Sequence, residues 1–264
     1  MTTTATLLLR LAGPLQSWGD HRAVLDTRHT AAQPTKSGVI GLLAAALGRA
    51  RDEPLGRLAD LTMGVRVDVP GTLLRDYHTV SDYRGVPLLA ANLTAKGRQK
   101  PTSKPRYVQP TERFYLQDAA FLVGINGPAA FMAEVTTAAK APACLLSLGR
   151  RSCPPTFPLV LGLTDSALSD ALAEQDWLAS PHARTIWQKR NRGATPATID
   201  VPATIDNPDG DTTLGDQPTS FALGRNRHTT RRVTHRLITL PTGFTPLPNT
   251  PGGEEHDPLA LLGW

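Results

Sequence analysis

Apolar residues along this chain recur in two rhythms, and each rhythm predicts a kind of element. Ala5 to Leu11 is short and apolar throughout, which predicts a central strand. Thr62 to Val69 alternates, with Met63, Val65, Val67 and Val69 on one face and Arg66 and Asp68 on the other, so a strand is expected there. Pro70-Gly71 follows as a turn, and Leu73 to Val80 is expected to fold back as the antiparallel partner of that strand. Ala119 to Ile125 is another apolar strand, and Phe157 to Leu161 predicts the last one of the first 163 residues. Helical spacing appears twice. Val39, Leu42, Leu43, Ala46 and Leu47 share one face, as do Phe131, Met132, Val135, Ala138 and Ala139 between Pro128 and Pro142. Two helices laid on one side of an antiparallel sheet satisfy this order, which is close to the split β-α-β pattern of ferredoxin-like folds. The predicted class is α+β.

Beyond residue 163 the periodicity weakens. Asp165 to Trp177 predicts a short helix, Ile199 to Pro218 is acidic and proline-rich and reads as a mobile loop, and Val233 to Leu240 reads as a strand. The expected division is 1–163 for the first unit and 164–264 for a C-terminal extension.

The first helix has an unusual entrance, Pro34-Thr35-Lys36-Ser37-Gly38. Hydroxyls there can cap free amides, and exposed N–H groups beside a lysine suit an anion such as a phosphate. Lys36 and Ser37 precede the glycines, so the nucleotide-triphosphate loop signature is not met. Gly38, Gly41, Ala44, Ala45 and Gly48 leave other helix faces nearly bare. That is equally the mark of a helix packed tightly on its neighbours.

Charge adds the next piece. With 28 Lys and Arg against 23 Asp and Glu the net charge is only +5, but its distribution is uneven. From Arg84 to Arg113 there are seven cations and Glu112 as the sole acid. A long insertion of this kind inside a compact domain is uncommon and tends to be functional or disordered. Because Arg106-Tyr107-Val108 and Arg113-Phe114-Tyr115-Leu116 have strand character, the insertion is expected to be a basic hairpin over 81–116. An undedicated basic loop, and a segment that folds only on binding, are the alternatives. Arg28, on the approach to the first helix, is the favoured phosphate contact there, and Arg225, Arg227, Arg231, Arg232 and Arg236 form a second acid-free cluster. Such patterns suit a polyanionic partner.

Two short stretches carry further chemistry. In Gly13-Pro14-Leu15-Gln16-Ser17-Trp18-Gly19, Trp18 either stacks on a nucleic-acid base or plugs the space beneath the loop with its N–H bonded to backbone. In Leu148-Gly149-Arg150-Arg151-Ser152-Cys153-Pro154-Pro155, adjacent arginines in a turn offer forked donors to phosphate, or form a solvated surface turn. Cys144 and Cys153 are the only cysteines, without a zinc-ligand spacing, and no cofactor or metal is expected. No apolar run approaches the length of a membrane span and no basic leader precedes the first strand, so a cytoplasmic protein is expected, with no membrane partner.

Three blocks, Leu9 to Gly19, Pro34 to Gly48 and Leu148 to Pro154, together resemble the CasD family in order and spacing. These are the subunits of type I-E CRISPR Cascade complexes that bind the 5′ handle of the guide RNA, within the RAMP superfamily. The resemblance implies an RRM-like palm over 1–163 with a β-hairpin thumb over 81–116. It implies as partners the CRISPR RNA, the CasC backbone subunit and the large CasA subunit, with target DNA reached through the complex in antiviral defence. It further implies that the chain caps one end of the RNA while its thumb turns a guide nucleotide away from pairing. The RNA-binding set expected on this basis is Gln16, Ser17, Trp18, Arg28, Thr35, Lys36, Ser37, Gly149, Arg150, Arg151 and Ser152. Lys96, Arg98, Lys100, Lys104 and Arg106 complete it on the thumb.

Related RAMP proteins cut precursor RNA, so a metal-independent endoribonuclease is the rival class. His78, Tyr77 and Lys36 are the residues that general acid–base chemistry would call on. A histidine beside a tyrosine on a strand is more often structural, no catalytic residue is expected, and a Gly/Ala-rich helix offers no base-reading side chains for a DNA-binding regulator.

Overall fold

The computed structural model of the chain describes residues 3–19, 27–81, 108–222 and 227–244. The chain opens on β1 (Thr4–Ala12), followed by four two-residue strands, β2 (Leu15–Gln16), β3 (Trp18–Gly19), β4 (Thr27–Arg28) and β5 (Thr30–Ala31). Helix α1 (Lys36–Ala46) leads to β6 (Thr62–Val69), then to β7 (Thr72–Ser81) and β8 (Val108–Gln117). β9 (Ala120–Pro128) runs directly into α2 (Ala129–Lys140), and β10 (Val160–Thr164) follows after an irregular stretch. Two short helices come next, α3 (Leu168–Glu174) and α4 (Pro181–Arg190), and then β11 (Thr198–Asp206), β12 (Thr212–Ser220) and β13 (Arg227–Pro241).

Seven strands form one antiparallel sheet in the order β10-β1-β9-β6-β11-β13-β12. Its first four, with α1 after β1 and α2 after β9, reproduce the split β-α-β arrangement expected from the hydrophobic pattern. Alternation along β1 sends Leu7, Leu9 and Leu11 into a core shared with Val39, Ile40 and Leu43 of α1 and Phe131, Met132 and Val135 of α2. Each of these side chains, taken fully out of water, contributes about 1.5–3 kcal/mol.

The opposite face is covered as well, by α3, which falls within the helix expected over Asp165 to Trp177. Leu8 and Leu122 point there and meet Leu172 of α3, with Trp177, Leu178, Val201 and Ile238 around them. The close approach of α3 requires glycine below it: a Cβ at Gly124 would lie 2.6 Å from Leu168 Cδ1, and one at Gly64 2.7 Å from Leu172 Cδ1. Arg66 and Asp68, expected on a polar face of β6, are buried beneath this layer. They pair at 2.7 and 2.8 Å, and Arg66 also donates to the carbonyls of Leu172, Gln175 and Asp176 around the end of α3. The pair thereby satisfies the orphan carbonyls of a helix C-terminus.

Three further expectations are corrected. β7 does not pair with β6, whose two edges are taken by β9 and β11; it pairs with β8 in a separate sheet that also includes β2 and β4. The last strand of the first half begins at Val160, three residues after Phe157. Residues 199–218 are not a mobile loop but most of β11 and β12, because Val201 and Ala203 alternate into the core and Asp206 and Asp216 are paired internally. Residues on both sides of the expected boundary at 163 therefore share one sheet.

Candidate nucleic-acid interface

Thr35 caps α1, its side chain accepting from the Gly38 amide at 3.3 Å. The anion at this helix entrance comes from the chain itself. Asp216 of β12 accepts from the Lys36 amide at 2.7 Å and from Arg231 at 2.6 and 3.0 Å, while Lys36 Nζ donates to Asp206 at 2.8 Å. Asp206 also accepts from the Met63 amide at 2.9 Å and is bonded by Arg231. Burial alone would raise the Asp216 carboxyl, but the hydrogen bonds and charge of Arg231, with the Lys36 amide, outweigh it and hold the group below the ordinary carboxylate value. Burial would likewise lower Arg231, and Asp216 and Asp206 reverse that. Lys36 is thus buried and spent on an internal carboxylate, and Arg231 is withdrawn from the second basic cluster. Ser37 stays half-buried, its hydroxyl donating to Thr35 Oγ1 at 3.4 Å.

Of the two readings open for Trp18, the structure adopts the plug, with the indole N–H bonded to a side chain where backbone was expected. The side chain is fully buried, with Nε1 donating to Gln16 Oε1 at 3.1 Å, and its ring lies 2.8 Å from where a Gly38 Cβ would be. Gln16 is also buried, and donates to the carbonyls of Leu11 and Ala119 at 3.0 and 2.8 Å. These two residues build the floor under α1.

The remaining predicted residues meet on the far side of that floor. Ser17 donates its hydroxyl to the Phe114 carbonyl of β8 at 3.1 Å and its amide to the Leu148 carbonyl at 3.1 Å. Gly149 has φ +87°, and a Cβ there would fall 1.8 Å from the Ser17 carbonyl oxygen, so only glycine fits. The next residue, Arg150, is the hub. Its guanidinium donates to the carbonyls of Phe114 at 3.1 Å, Arg28 at 2.8 Å and His29 at 3.4 Å, and lies 4.8 Å from the centre of the Tyr115 ring. It ties the arginine turn, β4 and β8 into one corner. Burial raises the Cys153 thiol beneath this turn, partly offset by Ser152 and Arg150.

Arg28, Arg151 and Ser152 are exposed around that hub. β4 runs parallel to β8 with Arg28 opposite Arg113, so the two guanidinium-bearing residues sit side by side. Among the described residues, no ion pair involves Arg28, Arg113, Arg150 or Arg151. Arg113 was not among the sequence-predicted contacts, because only the parallel β4–β8 pairing reveals its neighbour. The structure therefore brings Ser17, Arg28, Gly149, Arg150, Arg151 and Ser152 together and separates them from the buried Lys36. Lys96, Arg98, Lys100, Lys104 and Arg106 lie outside the described residues. They fall between β7 and β8, whose ten-residue strands pair over their full length from Thr72↔Gln117 to Ser81↔Val108 beside this corner.

An antiparallel sheet carrying a split β-α-β half and a cation-rich corner is the setting in which the family enters. The family model described as CRISPR-associated protein (Cas_Cas5) matches residues 6–234, and the chain belongs to this family. Within it the chain is 40% identical to the CRISPR system Cascade subunit CasD of Escherichia coli (strain K12), over 59% of this chain and 70% of that one. A chain of a solved CRISPR RNA-guided surveillance complex superposes with a TM-score of 0.71 at 34% identity, covering 90% of this chain and 91% of that one. A second solved structure, described as a Cas protein, gives 0.61 at 35% identity over 89% and 95%. The resemblance to the CasD family of type I-E, drawn from three short blocks, is borne out over most of the chain.

Proposed function

We propose that the chain is a non-catalytic RNA-binding subunit of a type I-E Cascade complex that holds the 5′ handle of the CRISPR RNA. The observation that carries this reading is the corner where Arg28, Arg113, Arg150 and Arg151 gather, without carboxylate partners among the described residues, beside a long β7–β8 hairpin. Guanidinium forks at fixed positions suit phosphate, and single-stranded RNA with splayed bases suits loops flanking a sheet. In this reading residues 1–163 are the palm, 81–116 the thumb, and 164–264 an extension whose strands continue the same sheet. Lys96, Arg98, Lys100, Lys104 and Arg106 grip the RNA backbone through the thumb, which turns one guide nucleotide aside. The CasC-type backbone subunit and the CasA-type large subunit are the protein neighbours, and target DNA is met through the complex. Gln16, Trp18, Thr35 and Lys36 support the interface from within, since their polar groups are engaged inside the chain.

The holder reading is also favoured over RNA cleavage by geometry. Tyr77 and His78 are adjacent on β7 and so point to opposite faces, His78 is bonded to Thr111 at 3.0 Å, and Lys36 is buried against Asp206. Those groups do not converge on one scissile bond. The test is to replace Lys96, Arg98 and Lys100 together by glutamine and sequence the RNA that co-purifies with the assembled complex. Retained CRISPR RNA should fall, whereas unchanged retention would remove the thumb from the interface. Incubated with its repeat RNA, the purified chain should leave the RNA intact; a specific cut abolished by His78→Ala would overturn the holder reading.

A further inference from the structure

The hairpin sheet carries a face that the phosphate contacts do not use. Register sets Leu73 opposite Leu116, Arg75 opposite Phe114 and Tyr77 opposite Glu112, and His29 follows Arg28, the last residue of β4. Alternate residues share a face, so Leu73, Arg75, Tyr77 and Phe114 lie on the side opposite Arg113 and its register partner Arg28, and the contact with Phe114 puts the His29 ring with them. On that side the His29 ring is stacked on Phe114, with centroids 5.2 Å apart and planes 14° from parallel. His29 is exposed, Tyr77 is 58% exposed and Leu73 64% exposed. Arg75 is paired with Glu112, which cancels the charge on the face itself.

The stack is built, not incidental. Arg150 donates to the carbonyls of both His29 and Phe114, the two residues whose rings stack, and to that of Arg28 between the strands. One guanidinium thus fixes the backbone beneath both rings. We infer that the His29–Phe114 pair is a stacking platform for one unpaired base of the bound single-stranded RNA, whose phosphates run over the β4 edge to Arg28 and Arg113. This inference rests on the guide-RNA reading above and adds a base site to its phosphate contacts. An aromatic ring pair accepts any base, since every base has a π-face, and Arg28 and Arg113 across the β4 edge supply the charge for the flanking phosphates.

The test uses the assembled complex carrying its CRISPR RNA, with 2-aminopurine substituted at one handle or adjoining nucleotide at a time. At one position the fluorescence should be quenched in the wild type and restored in His29→Ala, with His29→Phe recovering the quenching. Because Phe114 is half-buried, Phe114→Leu, which keeps apolar bulk and removes the ring, provides the second variant. Loss of the stack should weaken RNA affinity by at least about fivefold. If the RNA is bound but no position responds to any variant, the platform is refuted while the holder reading stands. If His29→Ala releases a neighbouring subunit and leaves every base signal unchanged, the face is a protein contact and the inference fails. If the remaining subunits, assembled without this chain, retain the RNA equally well, both the platform and the handle-binding reading fall.

Discussion

Two clusters of basic residues in this chain use their charge in opposite ways. At the entrance of α1, Lys36 and Arg231 face Asp206 and Asp216 inside the protein. Beside the middle of the β7–β8 pairing, Arg28, Arg113 and Arg151 form no ion pair among the described residues, and the Arg150 guanidinium donates to backbone carbonyls. The first cluster joins the C-terminal strands to the helix that begins the core; the second leaves fixed donors facing outward. Positive charge in the sequence is therefore not one property here. What separates the two clusters is where the acids fold to, and Asp206 and Asp216 are 170 and 180 residues from Lys36 in the chain.

The comparison predicts its largest effect at Asp216. Replacing it by alanine leaves Arg231 and the Lys36 amide with a lost partner in a buried setting, which costs about 3–5 kcal/mol when a buried pair is broken. Urea unfolding of Asp216→Ala should report a loss of that size. A variant of wild-type stability that had lost RNA binding would mean that this entrance, after all, is the RNA site.

A smaller effect follows from acid. The Asp216 carboxyl is held below its ordinary value, so the folded chain releases a proton that the unfolded chain keeps until about pH 3.9. Stability from this group is fully present above that pH and is lost as pH falls through the depressed folded value. Denaturant midpoints measured downward from pH 6 should drop in that acid range, and the drop should be shallower in Asp216→Asn. Equal slopes in the two proteins would contradict the internal clasp.

The smallest stability change belongs to the open cluster. Arg28→Gln, Arg113→Gln and Arg151→Gln together should shift unfolding by no more than about 0.5 kcal/mol per site, as for surface positions outside a network.

Much of the fold was legible because local signals agreed with tertiary ones. The helical spacing in 39–47 and 131–139 and the apolar runs at 5–11 and 119–125 each became the expected element, and their order implied the four-strand half-sheet. The extension was harder to read. Val201 and Ala203 alternate properly in β11, but prolines and acids in 199–218 suggest a loop until Arg231 and Lys36 are seen to neutralise the acids. β7 was assigned to the wrong partner because a Pro-Gly turn signals reversal without specifying which sheet receives the returning strand. In the candidate site, loop chemistry points to Arg28, Arg150 and Arg151, whereas the neighbourhood of Arg113 and the His29–Phe114 stack depends on a parallel pairing between segments 85 residues apart. Trp18 and Lys36 had the right composition for an RNA contact, and their burial is a consequence of packing that no local pattern records.

The most direct measurement is the salt dependence of CRISPR RNA retention by the complex containing wild-type chain and the Arg28→Gln/Arg113→Gln/Arg151→Gln variant. For single-stranded RNA each lost phosphate contact removes about 0.7 from the slope of log affinity against log salt, so the variant should be shallower by about 2. An unchanged slope in a normally folded variant would contradict the claim that the outward cluster, and not the buried one, meets the RNA.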